Sequence, residues 1–207
     1  MNHLRQTILL HEALKERGLN YKKYRIEINH DLGYSKINEI RLPIIYPDSF
    51  WIEAKKFHNN KKIISFYFNG HPGNNNSRKQ IIENFIGKQN SVIKFNQEGR
   101  IVENKNKMNY EYFLDMSRSK YTLCPHQLNW PGDKNALWTY RFIESMMVKS
   151  VPIIFRKTPL CEDFIEEFFY QWDDDQLPKK IDHTTLEENF IKARNKFSLP
   201  ENLKDIL

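Results

Sequence analysis

Residues 119–155 read SKYTLCPHQLNWPGDKNALWTYRFIESMMVKSVPIIF, and this stretch decides the fold. Residues 120–124 form a short run that predicts a strand, and residues 151–155 predict another. Between them, residues 138–148 repeat apolar side chains at helical spacing. A strand, a helix and a strand in succession indicate parallel strands joined by a helical crossover.

The same alternation extends on both sides of this stretch. Upstream, residues 63–68 form a near-continuous apolar and aromatic run, which is typical of a strand buried on both faces. The remaining elements are listed in chain order: a helix at 78–86, a strand at 91–95, a helix at 110–118, and helices at 163–169 and 185–196. We therefore expect an α/β fold, a Rossmann-like parallel sheet flanked by helices.

The first part of the chain gives a weaker signal. Residues 4–17 predict an amphipathic helix that ends at Gly18, whereas residues 20–48 contain only short extended pieces. We therefore divide the chain into a reduced N-terminal segment, residues 1–48, and a Rossmann-like domain, residues 49–207.

The net charge of the protein limits the classes of partner that it could bind. The net charge is +6 and the isoelectric point is near 9.1, which suits nucleic acid, an anionic membrane face or phosphate-bearing small molecules. The lysines are scattered among Asn and Glu, and this favours a solvated surface over a nucleic-acid stripe. We expect no nucleic-acid partner, and a peripheral contact with an anionic membrane stays compatible with the charge.

The cysteines and the N-terminal residues indicate in which cellular compartment the protein acts. Cys124 and Cys161 lie far apart without a CxxC pair, which predicts free, buried thiols in a reducing compartment and no structural metal. The apolar run near the N-terminus is short and is broken by His11 and Glu12, so we expect neither a signal peptide nor a membrane span. The prediction is a soluble cytoplasmic protein.

Ligands of open parallel sheets bind at the carboxyl ends of the strands. That rule selects three loops: 69–77, 125–137 and 156–160. The first loop contains Gly70 and Gly73 and leads into a helix whose first turn carries Arg78. Small residues let a phosphate approach the backbone N–H groups closely, and an arginine can bind the phosphate with two hydrogen bonds. The composition is equally typical of an Asn/Gly-rich surface turn.

The loop that begins at Pro125 leads to a second group of candidates. Arg141 and Glu144 are three residues apart and project from one helical face. The carboxylate could accept the ribose hydroxyls of a nucleotide while the arginine neutralises its diphosphate. An exposed intrahelical ion pair is the commoner explanation of this spacing. Aromatic neighbours favour the binding interpretation; they are Trp138, Tyr140 and Phe142.

These segments resemble the exostosin-like glycosyltransferases. The likeness lies in SKYTLCP, then WTYRFIE, then VPII, together with FYFNG followed by Arg78, and it covers residues 63–155. The resemblance implies the donor-binding lobe of a GT-B glycosyltransferase. It also implies metal-independent transfer of a sugar from a UDP- or GDP-sugar donor to a glycan or glycolipid acceptor, with no cofactor.

The resemblance also assigns roles to residues. It implies that Arg78 contacts the diphosphate, Arg141 the phosphate or sugar, and Glu144 the ribose, while the backbone after Pro125 lines the pocket. The full donor-binding set is Asn69, Gly70, Arg78, Pro125, Trp138, Tyr140, Arg141 and Glu144.

Two local departures from the family pattern stand out. Lys149 and Ser150 occupy the place of a small residue and a glycine, so the turn into the last strand could differ. The acidic run 173–175 follows no clear predicted strand, and we interpret it as a loop rather than a metal-binding motif.

The larger departure is the N-terminal segment, which is shorter than an acceptor lobe. No candidate for the catalytic base lies in a motif; the nearest are His11, Glu12, His30 and Asp31. A partner chain could supply the acceptor lobe. This leaves two alternatives to a complete enzyme: a non-catalytic nucleotide-sugar-binding subunit, and a basic nucleic-acid-binding module supported only by charge and aromatic content.

Overall fold

A five-stranded parallel sheet, flanked by helices on both faces, forms the centre of the protein. The structure, a computed structural model, describes residues 4–29, 33–96, 107–126, 139–155, 167–178 and 180–207. Its helices are α1 Leu4–Glu16, α2 Asp48–Ala54, α3 Ser77–Ile81, α4 Tyr110–Ser117, α5 Tyr140–Met147, α6 His183–Phe197 and α7 Leu203–Ile206. Its strands are β1 Ile26–Asn29, β2 Tyr34–Ile37, β3 Ile40–Pro43, β4 Ile64–Gly70, β5 Ser91–Phe95, β6 Ser119–Leu123, β7 Val151–Ile154 and β8 Gln171–Trp172.

The sheet has the spatial order β5-β4-β6-β7-β8, and every neighbouring pair is parallel. Strand β4 lies inside it, as the apolar run predicted. Tyr67 and Phe68 are both fully buried, and they belong to separate hydrophobic clusters. Because successive side chains of a strand point to opposite faces, both faces of β4 are covered. The predicted α/β class and parallel sheet are confirmed.

Different helices cover the two faces. The cluster that contains Tyr67 also contains side chains of α2, α4, α5 and α6, among them Trp51, Phe113 and Phe142. The cluster that contains Phe68 is closed by α3 and the following turn through Ile81 and other apolar residues. The sheet is therefore enclosed between two unequal layers.

The structure departs from the predicted elements in three places. The helix expected at 78–86 is split into α3 and a 3-10 turn, Glu83–Phe85, because Ile82 leaves helical geometry at φ −98° and ψ 11°. Helix α2 was not predicted, although Phe50, Trp51 and Ala54 are buried along one side of it. Of the helix predicted at 163–169, residues 163–166 lie outside the described residues, and the next regular element is the unpredicted strand β8.

The N-terminal segment is more ordered than its sequence predicted. Strands β1, β2 and β3 pair antiparallel, and Asn38, the first of the two residues between β2 and β3, adopts a left-handed conformation with φ 52°. Their apolar side chains pack on α1 in a cluster of their own. Leu199 and Leu203, from the other end of the chain, complete that cluster. The N-terminal unit is thus built from both ends of the described chain.

The turn from α5 to β7 contains Lys149 and Ser150, the pair at which the sequence departs from the resembled family. Lys149 adopts φ 57°, the left-handed region that glycine favours, at a cost of about 1 kcal/mol for an L residue. Its side chain is 7 % exposed and its ammonium group forms an ion pair with Glu187 on α6. The lysine therefore adopts a conformation typical of glycine and adds a link to α6.

A second lysine, Lys62, is half-buried near the amino ends of the strands. The Lys62 ammonium donates to Ser117 O at 2.7 Å and lies 3.5 Å from Val148 O. Burial, assisted by the charge of Lys149, lowers the pKa of Lys62 to about 7. The folded state therefore holds this group in its neutral form under mildly alkaline conditions.

Replacement of Lys62 by Met should remove a pH dependence of stability. The unfolded chain has the higher Lys62 pKa, 10.5, and so binds more protons between about pH 7 and 10.5. Stability due to Lys62 therefore rises with pH across that window. We expect Lys62→Met to stabilise the protein more at pH 6 than at pH 9 in urea unfolding. The exposed Lys61→Met is the control, and an equal effect of Lys62→Met at both pH values would contradict the assignment.

Candidate functional site

The sheet order creates a switch point between β4 and β6. The chain adds β5 on one side of β4 and then passes to the other side to add β6, β7 and β8. Connections leave in opposite directions from two such strands, and a crevice forms at their carboxyl ends. Here those ends are Gly70 of β4 and Leu123 of β6.

Arg141 reaches this switch point from α5. Thr139 caps the helix, and its hydroxyl accepts a hydrogen bond from Arg141 N at 3.1 Å. The Arg141 Nε donates to Asn69 O at 3.2 Å, and the guanidinium carbon lies 4.5 Å from the centre of the Phe68 ring. The side chain is therefore fixed by backbone and aromatic contacts at the end of β4.

Gly70 is required by this arrangement. A Cβ atom at that position would lie 1.8 Å from Arg141 Nη2, so any side chain would displace the guanidinium. Asn69 is held in turn, because its side chain accepts a hydrogen bond from Asn96 at 2.6 Å. Of the predicted site residues, Asn69, Gly70 and Arg141 are brought together.

The charge of Arg141 is buried without an opposite charge beside it. Only 6 % of the residue is exposed, and it makes no salt bridge within the described residues. A buried cation loses its hydration, and this loss is costly unless an anion compensates. Since the strand ends, the glycine and the cation converge here, the arrangement favours an anionic ligand.

Arg78 belongs to the same loop, in the first turn of α3. The loop turns at Gly73, whose φ of 87° lies in the left-handed region, and a Cβ there would lie 2.9 Å from Arg78 N. Arg78 N donates to Pro72 O at 2.8 Å, and its side chain is half-buried. The loop geometry is thus fixed by glycine, as the sequence suggested, rather than being a loose surface turn.

Glu144 lies elsewhere than the sequence suggested. Its carboxylate is fully buried and forms an ion pair with Arg5 of α1. It also accepts hydrogen bonds from Tyr46 at 3.2 Å and Tyr112 at 2.9 Å. Neither an exposed ion pair with Arg141 nor contact with ribose hydroxyls agrees with this conformation, because protein donors surround the carboxylate.

The surroundings of Glu144 keep the phenols protonated. Burial, together with the Glu144 charge, raises the pKa of Tyr46 and Tyr112 well above the usual value, so both remain donors. Tyr140 packs under Arg5, whose guanidinium carbon lies 4.4 Å from the ring centre, and burial raises the Tyr140 pKa to about 12. Tyr140 therefore supports Arg5 rather than presenting an open stacking face.

Sequence reasoning missed Arg5, Tyr46 and Tyr112. They come from α1, from the connector before α2, and from α4, so no local spacing joins them to Glu144. One signal was available: Arg5 lies on the same helical side as Ile8 and Leu9, and a cation on an apolar stripe indicates a buried partner.

The remaining predicted residues are only partly described. Pro125 is buried directly after Cys124, a free, buried thiol whose pKa is raised by burial. Trp138, the loop from 127 to 137, Cys161, His30 and Asp31 lie outside the described residues, as does the loop 156–160. His11, exposed on one side, stacks on Tyr21 with ring centres 3.9 Å apart.

The acidic run 173–175 requires a correction. It follows β8 directly, whereas no strand was predicted before it. Asp175 accepts a hydrogen bond from Trp172 N at 2.9 Å, and Asp173 N donates to Ile154 O at 2.9 Å, so the run closes a turn. Within the described ranges, no three His, Cys, Asp or Glu side chains are grouped as metal ligands.

No protein-family model matches the chain, and no curated protein sequence matches it significantly. Among the helices of the described ranges, none combines the length and the apolar character needed to cross a bilayer.

Removal of the Glu144 carboxylate should strongly destabilise the fold. Glu144→Ala leaves the Arg5 cation buried without its partner, which costs about 3–5 kcal/mol of unfolding free energy. The control is Glu53→Ala, which breaks an exposed ion pair with Lys56 and should cost under about 1 kcal/mol. Denaturant unfolding measures both. The double variant Arg5→Met/Glu144→Met should lose less than Glu144→Ala, and equal costs for Glu144→Ala and Glu53→Ala would contradict this account.

Removal of the Arg141 charge should have the opposite effect on the ligand-free protein. Because its desolvation is uncompensated, Arg141→Met should raise the unfolding free energy by about 1 kcal/mol. Arg118→Met, at the exposed amino end of β6, is the matched control and should change it by under about 0.5 kcal/mol. A large loss of stability in Arg141→Met would show that Arg141 is a structural residue.

Proposed function

We propose that this protein is the donor-binding part of a glycosyltransferase that moves a sugar from a nucleotide-sugar donor to a glycan or glycolipid acceptor. The observation that carries the proposal is the buried, uncompensated guanidinium of Arg141 on Gly70 at the switch point of the parallel sheet. The likeness of residues 63–155 to exostosin-like sequences points the same way.

The diphosphate is the part of the donor that this geometry suits best. Arg141 contributes a cation that is already oriented by Asn69 O and Phe68, so little side-chain freedom is lost on binding. Arg78, on the adjoining loop, supplies a second cation. Positive charge fixed at a leaving diphosphate stabilises the charge that develops there as the glycosidic bond of the donor breaks. Under this proposal the arginines assume that role.

Glu144 has an indirect role in this proposal. Through Arg5, Tyr46 and Tyr112 it fastens α5 to three other elements, and Arg141 is one helical turn away on α5. The buried network therefore holds the helix that presents the cation. Glu144 is a positioning residue here, and the ribose contact suggested by the sequence is not part of the proposal.

A second candidate function has one observation in its favour. The described N-terminal unit is one helix with a three-stranded antiparallel sheet, not a second parallel sheet that could serve as an acceptor lobe of GT-B type. A nucleotide-sugar-binding subunit that acts with a partner chain is compatible with this architecture. Binding of a donor without turnover, followed by turnover on addition of a second polypeptide, would select this function over a self-sufficient enzyme.

A thermal-shift screen across UDP- and GDP-sugars tests donor binding. A ligand at one hundred times its Kd stabilises the fold by about 2.7 kcal/mol, which is a clear rise in Tm. We expect at least one nucleotide sugar to raise the Tm of the natural protein and of Arg118→Met, but not that of Arg141→Met. Absence of any shift across the screen would refute the proposal, and an equal shift in Arg141→Met would remove Arg141 from the site.

Gly70→Ala tests the same site without removing charge. The added Cβ would collide with Arg141 Nη2 and displace the guanidinium, so we expect donor affinity to fall at least about tenfold. Because both substitutions act through one group, the double variant Gly70→Ala/Arg141→Met should bind no more weakly than Arg141→Met. Titration calorimetry measures this coupling, and additive losses would contradict it.

A further inference from the structure

A cavity of about 470 Å³ lies near the amino ends of the strands, whereas Arg141 lies near their carboxyl ends. It opens beside the turn that enters β7, between the end of α2 and the outer face of α6. Its lining residues are Lys55, His58, Asn59, Lys149, Glu187, Phe190, Ile191, Arg194 and Asn195. The polar lining is predominantly basic.

The cations of this cavity exceed its anions. Lys55, Lys149 and Arg194 face one carboxylate, Glu187, which is already paired with Lys149. Neither Lys55 nor Arg194 makes a salt bridge within the described part of the chain. The cavity therefore carries an excess of two positive charges, which matches a ligand with two negative charges.

His58 adds a group that can respond to such a ligand. Its Nε2 lies 2.9 Å from Met147 O and must donate to that carbonyl, which leaves Nδ1 as the nitrogen that titrates. Burial lowers the pKa of His58, and the neighbouring charges of Lys149 and Lys55 lower it further, against the opposing charge of Glu187. An anion in the cavity would offset the two lysines and raise that pKa.

One wall of the cavity is apolar. Phe190 is buried and packs edge-on against His58 with ring centres 4.5 Å apart, whereas Ile191 is 49 % exposed. A fully solvated inorganic ion would leave this wall uncovered. A ligand with an apolar group attached to its anion would cover it and gain from the contact.

We propose that this cavity binds a phosphomonoester whose phosphate meets Lys55, Lys149 and Arg194 and whose short apolar group covers Ile191. The strained backbone of Lys149 supports the assignment, because left-handed non-glycine residues are concentrated at functional sites. The site is separate from the candidate donor site and does not depend on the proposed function.

Titration calorimetry with inorganic phosphate and with hexyl phosphate tests the proposal. We expect both ligands to bind the natural protein, and hexyl phosphate to bind at least about tenfold more tightly, since each buried methylene contributes about fourfold. Lys55→Gln/Arg194→Gln should weaken both ligands at least tenfold. Lys192→Gln, an exposed lysine on the same helix outside the cavity, is the matched control and should bind as the natural protein does.

Two further results sharpen the test. Glu187→Gln removes the carboxylate and should tighten phosphate binding, a direction that damage to the fold would not produce. The His58 ring signals in NMR should titrate at a higher pH when hexyl phosphate is bound. Absence of binding, equal weakening in Lys192→Gln, or equal affinity for the two phosphates would overturn the proposal.

Discussion

The buried ion pair between Arg5 and Glu144 is the constraint on which the arrangement of the protein depends. It joins α1 of the N-terminal unit to α5 of the parallel domain, and the phenols of Tyr46 and Tyr112 add the connector and α4 to the same carboxylate. A charge pair in the interior contributes little net stability, but it penalises every arrangement that separates its partners. It therefore acts mainly to fix how α5 sits on the sheet.

This fixed helix places a cation at a point where the parallel sheet is open to ligands. An apolar residue at position 141 would make the ligand-free protein more stable, because the guanidinium has no opposite charge beside it in the described chain. Retention of such a group is characteristic of sites that are optimised for a ligand rather than for the empty protein. Under the proposed function, the contrast between the compensated Arg5 and the uncompensated Arg141 distinguishes a structural residue from a ligand-binding residue.

The sequence predicted four of the five strands of the parallel sheet, most clearly β4 and β7, which are nearly continuous apolar runs. Strands β4, β5, β6 and β7 fell within a residue or two of their predicted positions. Short elements were missed. Strand β8 has only two residues, and β1 to β3 are defined by their pairing with each other rather than by an apolar periodicity in the sequence. The proximity of Gly70 and Arg141 was predicted from the rule that ligands of open parallel sheets bind at the carboxyl ends of the strands. The interior position of Glu144 was not, because its partners are distant in sequence.

The packing of Leu199 and Leu203 against α1 has a consequence for biosynthesis. The apolar side of α1 is synthesised well before Leu199 and Leu203, whose side chains complete its cluster. Contacts so distant in sequence form late and slowly. Until Leu199 and Leu203 have been synthesised, the apolar side chains of Leu10 and Leu14 on α1 lack these partners. The N-terminal unit therefore closes only after residues 199–203 have been made.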